Sequence, residues 1–252
     1  YIWNLDYVEQ LMDEYHKICP EVPIWVGGPE VSYETEAFLK EHPQVTGVMV
    51  GEGEETFLEL CESYAKAGIG EMAEKMNLSG IKGIMYRAGE SLVKTGAREP
   101  LDLNRIPFCY GGVEDFRNRI IYYESSRGCP FRCSYCLSSV EKTLRFRDVE
   151  RVKKELAFFL EQEVAQVKFV DRTFNCRHEH AMEIWKFLIE HDNGVTNFHF
   201  EISADLLTDE EIALIGQMRP GLIQLEIGVQ STNDATITEI HRTMQLDRLK
   251  AV

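Results

Sequence analysis

Three cysteines fall within eight residues, in the stretch Gly128-Cys129-Pro130-Phe131-Arg132-Cys133-Ser134-Tyr135-Cys136. Thiolates are soft ligands that suit iron–sulfur clusters and zinc. A cubane cluster has four irons, so three thiolates leave one iron open to a substrate or cofactor. An open coordination position marks a reactive site, whereas a structural site closes every position. The same residues are compatible with a zinc site completed by Cys109 or Cys176, and with cysteines that merely pack a core. Gly128, ahead of the first cysteine, is expected to adopt a backbone angle that other residues avoid.

Further residues of chemical interest follow apolar runs. After residues 167–170 comes Asp171-Arg172-Thr173. Asp171 could accept from an ammonium group and Arg172 could pair with a carboxylate; the alternative is a loop ion pair with a helix cap. In residues 197–203, two-residue alternation puts Asn197, His199, Glu201 and Ser203 on one face and Phe198, Phe200 and Ile202 on the other. An inward-facing carboxylate needs a partner, which makes Glu201 and Ser203 candidate ligand contacts; a solvated edge is the alternative. In Gly228-Val229-Gln230-Ser231, the glycine permits close approach of a ligand and Gln230 offers hydrogen bonds; the alternative is a strand-ending turn. His241 and Arg242 read as a solvated helix face. Nearer the start, Gly27-Gly28-Pro29-Glu30 and Gly51-Glu52-Gly53-Glu54 are glycine-bearing turns of the kind that let backbone approach a flat or phosphorylated ligand.

The elements that must position these residues alternate. Residues 5–19 read as an amphipathic helix with Val8, Leu11, Met12 and Tyr15 at helical spacing. Residues 22–26 and 45–50 read as buried strands, 34–41 and 54–67 as helices, the last with Phe57, Leu58, Cys61 and Tyr64 on one face. Alternation of this kind implies a parallel sheet, with both glycine turns at carboxyl ends of strands, where open α/β sheets bind ligands. Residues 82–86 and 91–95 read as a β-hairpin across Ala88-Gly89-Glu90, and 98–119 as a linker. A second series begins at Ile120: strands at 120–124, 167–170, 198–202 and 223–227, and helices at 148–162, 178–191 and 208–217. The last of these opens on Thr208-Asp209-Glu210-Glu211, a capping-box pattern.

The CxxxCxxC spacing, set after the first strand of a β/α series, resembles the signature of the radical S-adenosylmethionine superfamily. The resemblance implies a 4Fe-4S cluster held by Cys129, Cys133 and Cys136, whose open iron is chelated by the methionine moiety of S-adenosylmethionine. It sets Tyr135 beside the adenine, although this ring could simply pack the loop. At the position of Asp171-Arg172-Thr173 many members carry a Gly-Gly-Glu-like segment, which this chain lacks. The Gly-Val-Gln-Ser stretch is similar to one that recurs in several subfamilies. The two glycine turns ahead of such a domain resemble a cobalamin-binding domain, where Gly27, Gly28, Pro29, Gly51, Glu52 and Gly53 would border the nucleotide tail of the corrinoid. An Asp-x-His-x-x-Gly stretch, whose histidine ligates cobalt in many such domains, is absent; His16 reads as helix surface. A Rossmann-like fold that has lost its cobalamin is the alternative.

The expected architecture is α/β: a truncated Rossmann-like cobalamin-binding domain over 1–75 with its N-terminal strands missing, a linker with a hairpin over 76–118, and an incomplete radical S-adenosylmethionine partial (β/α) barrel over 119–252 with its C-terminal strands missing. The implied chemistry is reductive cleavage of S-adenosylmethionine to a 5′-deoxyadenosyl radical, hydrogen abstraction from an unreactive carbon and, with cobalamin, methyl transfer to that carbon. Radical chemistry without methyl transfer and a non-catalytic iron–sulfur or zinc protein are the competing readings.

Composition narrows the partners. The chain has 252 residues, 44% hydrophobic and 27% charged, enough to build a core. Its formal net charge of -15 repels phosphate backbones, and the densest basic stretch, 145–154, is broken by Asp148 and Glu150. A nucleic-acid partner is not expected. No apolar run approaches the roughly 20 residues that span a bilayer, so no membrane partner is expected either. Seven cysteines, an odd number, with no basic-then-apolar leader favour a reducing compartment, the cytoplasm, over a disulfide framework. The expected partners are a small-molecule or peptide substrate and an electron donor such as flavodoxin or ferredoxin.

Overall fold

The computed structural model describes residues 3–67, 78–111, 119–140 and 143–252. They divide into two compact units, Tyr1–Leu101 and Asp102–Val252. Part of the linker expected over 76–118 thus falls in the first unit, and residues 112–118 lie outside the described ones.

In the first unit, helix α1 (Leu5–Ile18) precedes strand β1 (Trp25–Gly27), short helix α2 (Pro29–Ser32), α3 (Thr35–Glu41), β2 (Gly47–Met49), α4 (Glu54–Ala67) and the hairpin β3 (Ile84–Ala88) to β4 (Ser91–Lys94). β1 and β2 pair in parallel, Trp25 opposite Gly47. The hairpin then adds antiparallel to β2, giving the order β1-β2-β3-β4. The sheet is therefore mixed rather than parallel throughout. One apolar cluster (Met12, Val31, Leu39, Val45, Val48, Met85) and another (Leu60, Leu78, Ile81, Ile84, Tyr86) form its core.

The helix faces differ from those the spacing suggests. α1 buries Met12 and partly Val8, whereas Leu11 and Tyr15 are exposed. α4 buries Thr56 and Leu60, and leaves Phe57, Leu58 and Cys61 exposed. Thr56 is drawn inward by polar partners, accepting from Arg98 Nε at 2.9 Å and donating to the Lys82 carbonyl at 3.3 Å. Arg98, on the stretch expected to be linker, also pairs with Glu55 and Glu59 at 3.2 and 2.6 Å.

In the second unit, β5 (Ile121–Tyr123) is followed by the short pair β6 (Ser126–Arg127) and β7 (Arg145–Phe146), then α5 (Val149–Glu161), β8 (Gln166–Phe169), α6 (His178–Glu190), β9 (Asn197–Ile202), α7 (Asp209–Ile215), β10 (Ile223–Ile227), α8 (Asp234–Glu239) and α9 (Leu246–Ala251). The four long strands form a parallel sheet in the order β10-β9-β8-β5, as helical crossovers between successive strands require. α7 starts with a complete capping box, Thr208 and Glu211 each bonding the other's backbone N–H.

One face of this sheet packs on the helices through Val167, Phe169, Phe198, Phe200 and Ile202, which meet Phe159, Phe174, Ile184 and Trp185 in a continuous core. Ring pairs such as Phe169–Phe200 and Phe174–Phe200, with centroids 4.5 and 4.3 Å apart, hold β8, β9 and the turn after β8 together. The opposite face carries Tyr122, Lys168, His199, Glu201 and Glu226, as two-residue alternation demands. Among the described residues no helix is long and apolar enough to cross a membrane.

Candidate functional site

The cysteines lie on a loop whose ends are pinned by the antiparallel pair of β6 and β7. Gly128 has φ +98°, and a Cβ there would approach the Thr143 carbonyl oxygen to 2.6 Å. Only glycine closes this loop without displacing backbone. Cys133 is buried, and Cys129 and Cys136 are partly so. A 3.1 Å hydrogen bond from Cys136 N to the Cys133 carbonyl makes a tight turn between them. Among the described residues no His, Cys, Asp or Glu side chains converge as ligands for one metal ion. A four-iron cubane is wider than one ion, so three thiolates around it need not converge on a point. Three soft thiols within eight residues fit such a cluster.

The loop rests on a buried polar network. Asp171 is fully buried. Its carboxylate accepts from Ser125 N at 3.0 Å, Ser125 Oγ at 2.7 Å and Ser126 Oγ at 2.5 Å. Burial lifts its pKa to about 6, against the pull of these donors. His180 Nε2 lies 3.1 Å from Ser125 Oγ. The serine proton goes to Asp171, so Nε2 carries the hydrogen and donates. Burial, assisted by Arg177, pushes the His180 pKa down to about 4. Asp171 is thus held by the two serines that follow β5. The aspartate follows the strand end, and its side chain turns inward to the two serines.

The other expected residues divide. Arg172 is exposed. Thr173 is buried, donates to the Arg172 carbonyl at 2.8 Å and sits 3.7 Å from Cys129 Sγ. Cys176, on the same turn, has its thiol pKa raised to about 11 by burial and by the nearby Asp171 and Cys129. Ser203 is buried; its hydroxyl donates to Asp205 at 2.7 Å, and its backbone is bracketed by the Asn175 side chain. Asn175 and Asp205 were not evident from the sequence.

Glu201 sits on the open face of the sheet, 3.5 Å from Lys168 Nζ. Lys168 also reaches Glu226 at 3.1 Å, and Glu226 lies 3.1 Å from His199 Nε2. Burial acts to lower the Lys168 pKa, but the two carboxylates outweigh it and hold the lysine above its usual range. The Lys168 bond in turn holds the Glu226 carboxyl low. Gly228 and Gln230 are exposed beyond β10, and Gln230 takes a left-handed φ of +63°, uncommon for a non-glycine residue.

Tyr135 is 52% exposed, and its hydroxyl accepts from Arg242 at 3.3 Å. Arg242 therefore does not lie on a solvated helix face, as its sequence setting suggests. It follows α8, donates to the Gly228 carbonyl at 2.6 Å and lies 6.0 Å from the Phe131 ring.

In the first unit, the two glycine turns lie side by side because β1 and β2 are parallel neighbours. Ser32 Oγ joins them, donating to the Gly28 carbonyl at 2.8 Å and receiving the Gly51 N–H at 3.5 Å. Gly28 and Gly51 have φ of +107° and +84°, and a Cβ on Gly28, Gly51 or Gly53 would project into open space. Val26, Gly27, Gly28 and Pro29 line a cavity of about 180 Å³ with Leu5, Val8 and Phe38. Bare backbone beside a recess that Asn4 and Glu30 also line fits the edge of a flat, bulky ligand. Glu52 is instead tied into the fold, its carboxylate accepting from Leu101 N at 2.7 Å.

Comparison with known proteins agrees with both halves. The family model described as Radical SAM superfamily matches residues 123–252, and that described as B12 binding domain matches residues 1–61. An uncharacterized methyltransferase of Pyrococcus horikoshii is 31% identical over 178 residues, covering 66% of this chain and 37% of that protein. The anaerobic magnesium-protoporphyrin IX monomethyl ester cyclase of Rubrivivax gelatinosus is 24% identical, covering 96% of this chain and 44% of that protein. Among solved structures, the radical S-adenosylmethionine methyltransferase TsrM from Kitasatospora setae superposes with a TM-score of 0.77 at 14% identity, over 98% of this chain and 50% of that one. The chain spans less than half the length of either curated relative.

Proposed function

This chain belongs to the Radical SAM superfamily, and we propose that it serves an enzyme that cleaves S-adenosylmethionine reductively and, with cobalamin, transfers a methyl group to an unreactive carbon. The observation that carries the reading is the position of Cys129, Cys133 and Cys136: on one loop pinned by β6 and β7, with Cys129 beside the turn that follows parallel strand β8. The B12-binding match ahead of it supports cobalamin. When bound, the cluster supplies the electron for cleavage and the cobalamin a carrier for the methyl group.

The chain's own residues bind and orient. The three cysteines would hold three irons and leave the fourth for the methionine moiety. Tyr135, half exposed on the same loop, offers a ring face to the adenine. Glu201 presents a carboxylate on the open face of β9, and Thr173 a hydroxyl beside Cys129. Gly228 and Gln230 offer backbone and amide at the end of β10. Arg172 is free to meet an anionic group, whereas Ser203 contributes through the turn it forms with Asn175 and Asp205. Gly27, Gly28, Pro29, Gly51 and Gly53 would face the corrinoid, with Glu52 holding the second turn in place. The substrate, a small molecule or peptide, and an electron donor such as flavodoxin or ferredoxin are proposed on the same basis.

A second reading is radical chemistry without methyl transfer, favoured by the cyclase relative that matches 96% of the chain. The two separate in one experiment. The full-length protein, reconstituted without oxygen, is given S-adenosylmethionine, reductant and its substrate extract, with and without cobalamin. Cobalamin-dependent S-adenosylhomocysteine alongside 5′-deoxyadenosine is the expected result. 5′-Deoxyadenosine alone selects the second reading, and neither product from cluster-loaded protein rejects both.

A further inference from the structure

Beyond β10 the chain turns back over the strand ends. Ser134 N, in the middle of the cysteine loop, donates to the Ile240 carbonyl at 2.9 Å. His241 has φ +53°, a left-handed angle that a non-glycine residue holds only where its surroundings demand it. That reversal delivers Arg242 to the loop. One Nη donates to the Tyr135 hydroxyl at 3.3 Å, the other to the Gly228 carbonyl at 2.6 Å, and the guanidinium lies over Phe131. Farther on, Gln245 N donates to Asp205 Oδ2 at 3.0 Å and Arg248 to the Leu207 carbonyl at 2.7 Å. The stretch 240–248 is thus a strap joining the cysteine loop to the turn after β9 and to the end of β10.

We propose that Arg242 is a positioning residue for the cysteine loop, fixing Tyr135 and the Cys133–Cys136 turn in register with the ends of β9 and β10. The guanidinium suits this task because its planar fork reaches two acceptors at once and offers a flat face to Phe131. A lysine has the charge without the fork. The Tyr135 hydroxyl is the acceptor through which Arg242 grips the loop, and Gly228 is the fixed point it pulls against. The inference rests on the cysteine loop being the cluster site.

The test is a double-mutant cycle in the full-length protein, reconstituted anaerobically: wild type, Arg242→Ala, Tyr135→Phe, the double variant, and Arg242→Lys. Readouts are iron content, the rate of iron loss to a chelator, and the paramagnetic resonance spectrum of the reduced cluster before and after S-adenosylmethionine. Arg242→Ala is expected to load iron, lose it roughly five- to tenfold faster, the effect of about one hydrogen bond, and show a weakened spectral response to S-adenosylmethionine. The double variant should behave as Arg242→Ala alone, since the pair acts as a unit. Arg242→Lys should recover part of the response. If Arg242→Ala matches wild type in iron loss and spectrum, or if the two single effects add, the proposal is overturned. Wild-type protein that takes up no iron would instead overturn the cluster reading itself, and the inference with it.

Discussion

Ser125 donates to Asp171 twice, through its backbone N–H at 3.0 Å and its hydroxyl at 2.7 Å, both residues being buried. The pair ties the chain just after β5 to the chain just after β8, and the cysteine loop grows from that knot. A buried carboxylate without a cation is tolerated only because three donors meet it.

Asp171→Asn should therefore destabilise the protein by about 2–3 kcal/mol, because the amide accepts on one atom only and turns N–H groups toward serine donors. Urea denaturation checks this. A loss within the scatter of surface substitutions would show that the knot does not hold the second unit together.

The same network predicts a pH signature. His180, neutral when folded, has its pKa lowered from 6.5 to about 4. Its contribution is complete above 6.5 and is lost as pH falls toward 4, because the unfolded histidine binds the proton more readily. Asp171 runs the other way. With its pKa raised from 3.8 to about 6, its contribution is complete below 3.8 and is lost as pH rises through 6. Between pH 6 and 4 the two oppose each other. Wild-type stability should change gently across that window, whereas Asp171→Asn, which keeps only the histidine term, should fall off steeply with acid. Parallel profiles from denaturation at several pH values would contradict this.

Cys133→Ala should abolish cluster assembly, since the buried central thiol has no substitute within the loop. The reconstituted variant is expected to lack the iron content and charge-transfer absorbance of wild type. Full iron and an unchanged spectrum would remove Cys133 from the ligand set.

Gly128→Ala places a methyl group against the Thr143 carbonyl in a left-handed conformation. Strain of about 1–3 kcal/mol is expected, relieved by opening the β6–β7 end of the loop. Faster hydrogen exchange at Arg127 and Arg145, together with reduced iron loading, is the predicted outcome; unchanged exchange would mean that the loop yields elsewhere.

Glu201→Gln tests the open face of the sheet. The Lys168–Glu201 contact is long and partly solvated, so its loss should alter stability by less than about 1 kcal/mol. If Glu201 contacts S-adenosylmethionine, calorimetry on cluster-loaded protein should show affinity reduced roughly tenfold, as loss of one charged hydrogen bond implies. Unaltered affinity would assign the carboxylate to Lys168 alone.

Features set by short-range chemistry were legible in the sequence. The cysteine spacing names candidate ligands because the three lie within one loop. The alternation of Asn197, His199 and Glu201 with Phe198, Phe200 and Ile202 fixes which side of β9 meets the helices, since strand geometry leaves no other choice. The Thr208–Glu211 box likewise needs only four consecutive residues. Residues with long-range partners were not legible. Arg242 finds Tyr135 across 107 positions of chain, Asp171 turns inward because two serines 45 and 46 residues earlier meet it, and α4 buries Thr56 because Arg98 and the Lys82 carbonyl wait there. Periodicity states that a helix has an apolar side but not which neighbours will cover it. Sequence alone therefore determined the main strands and helices and a candidate ligand set, whose causes lie within a turn or a strand. Tertiary structure decided which polar side chains are occupied by the fold and which remain free for a ligand, because hydrogen-bond partners are assigned only when distant segments pack.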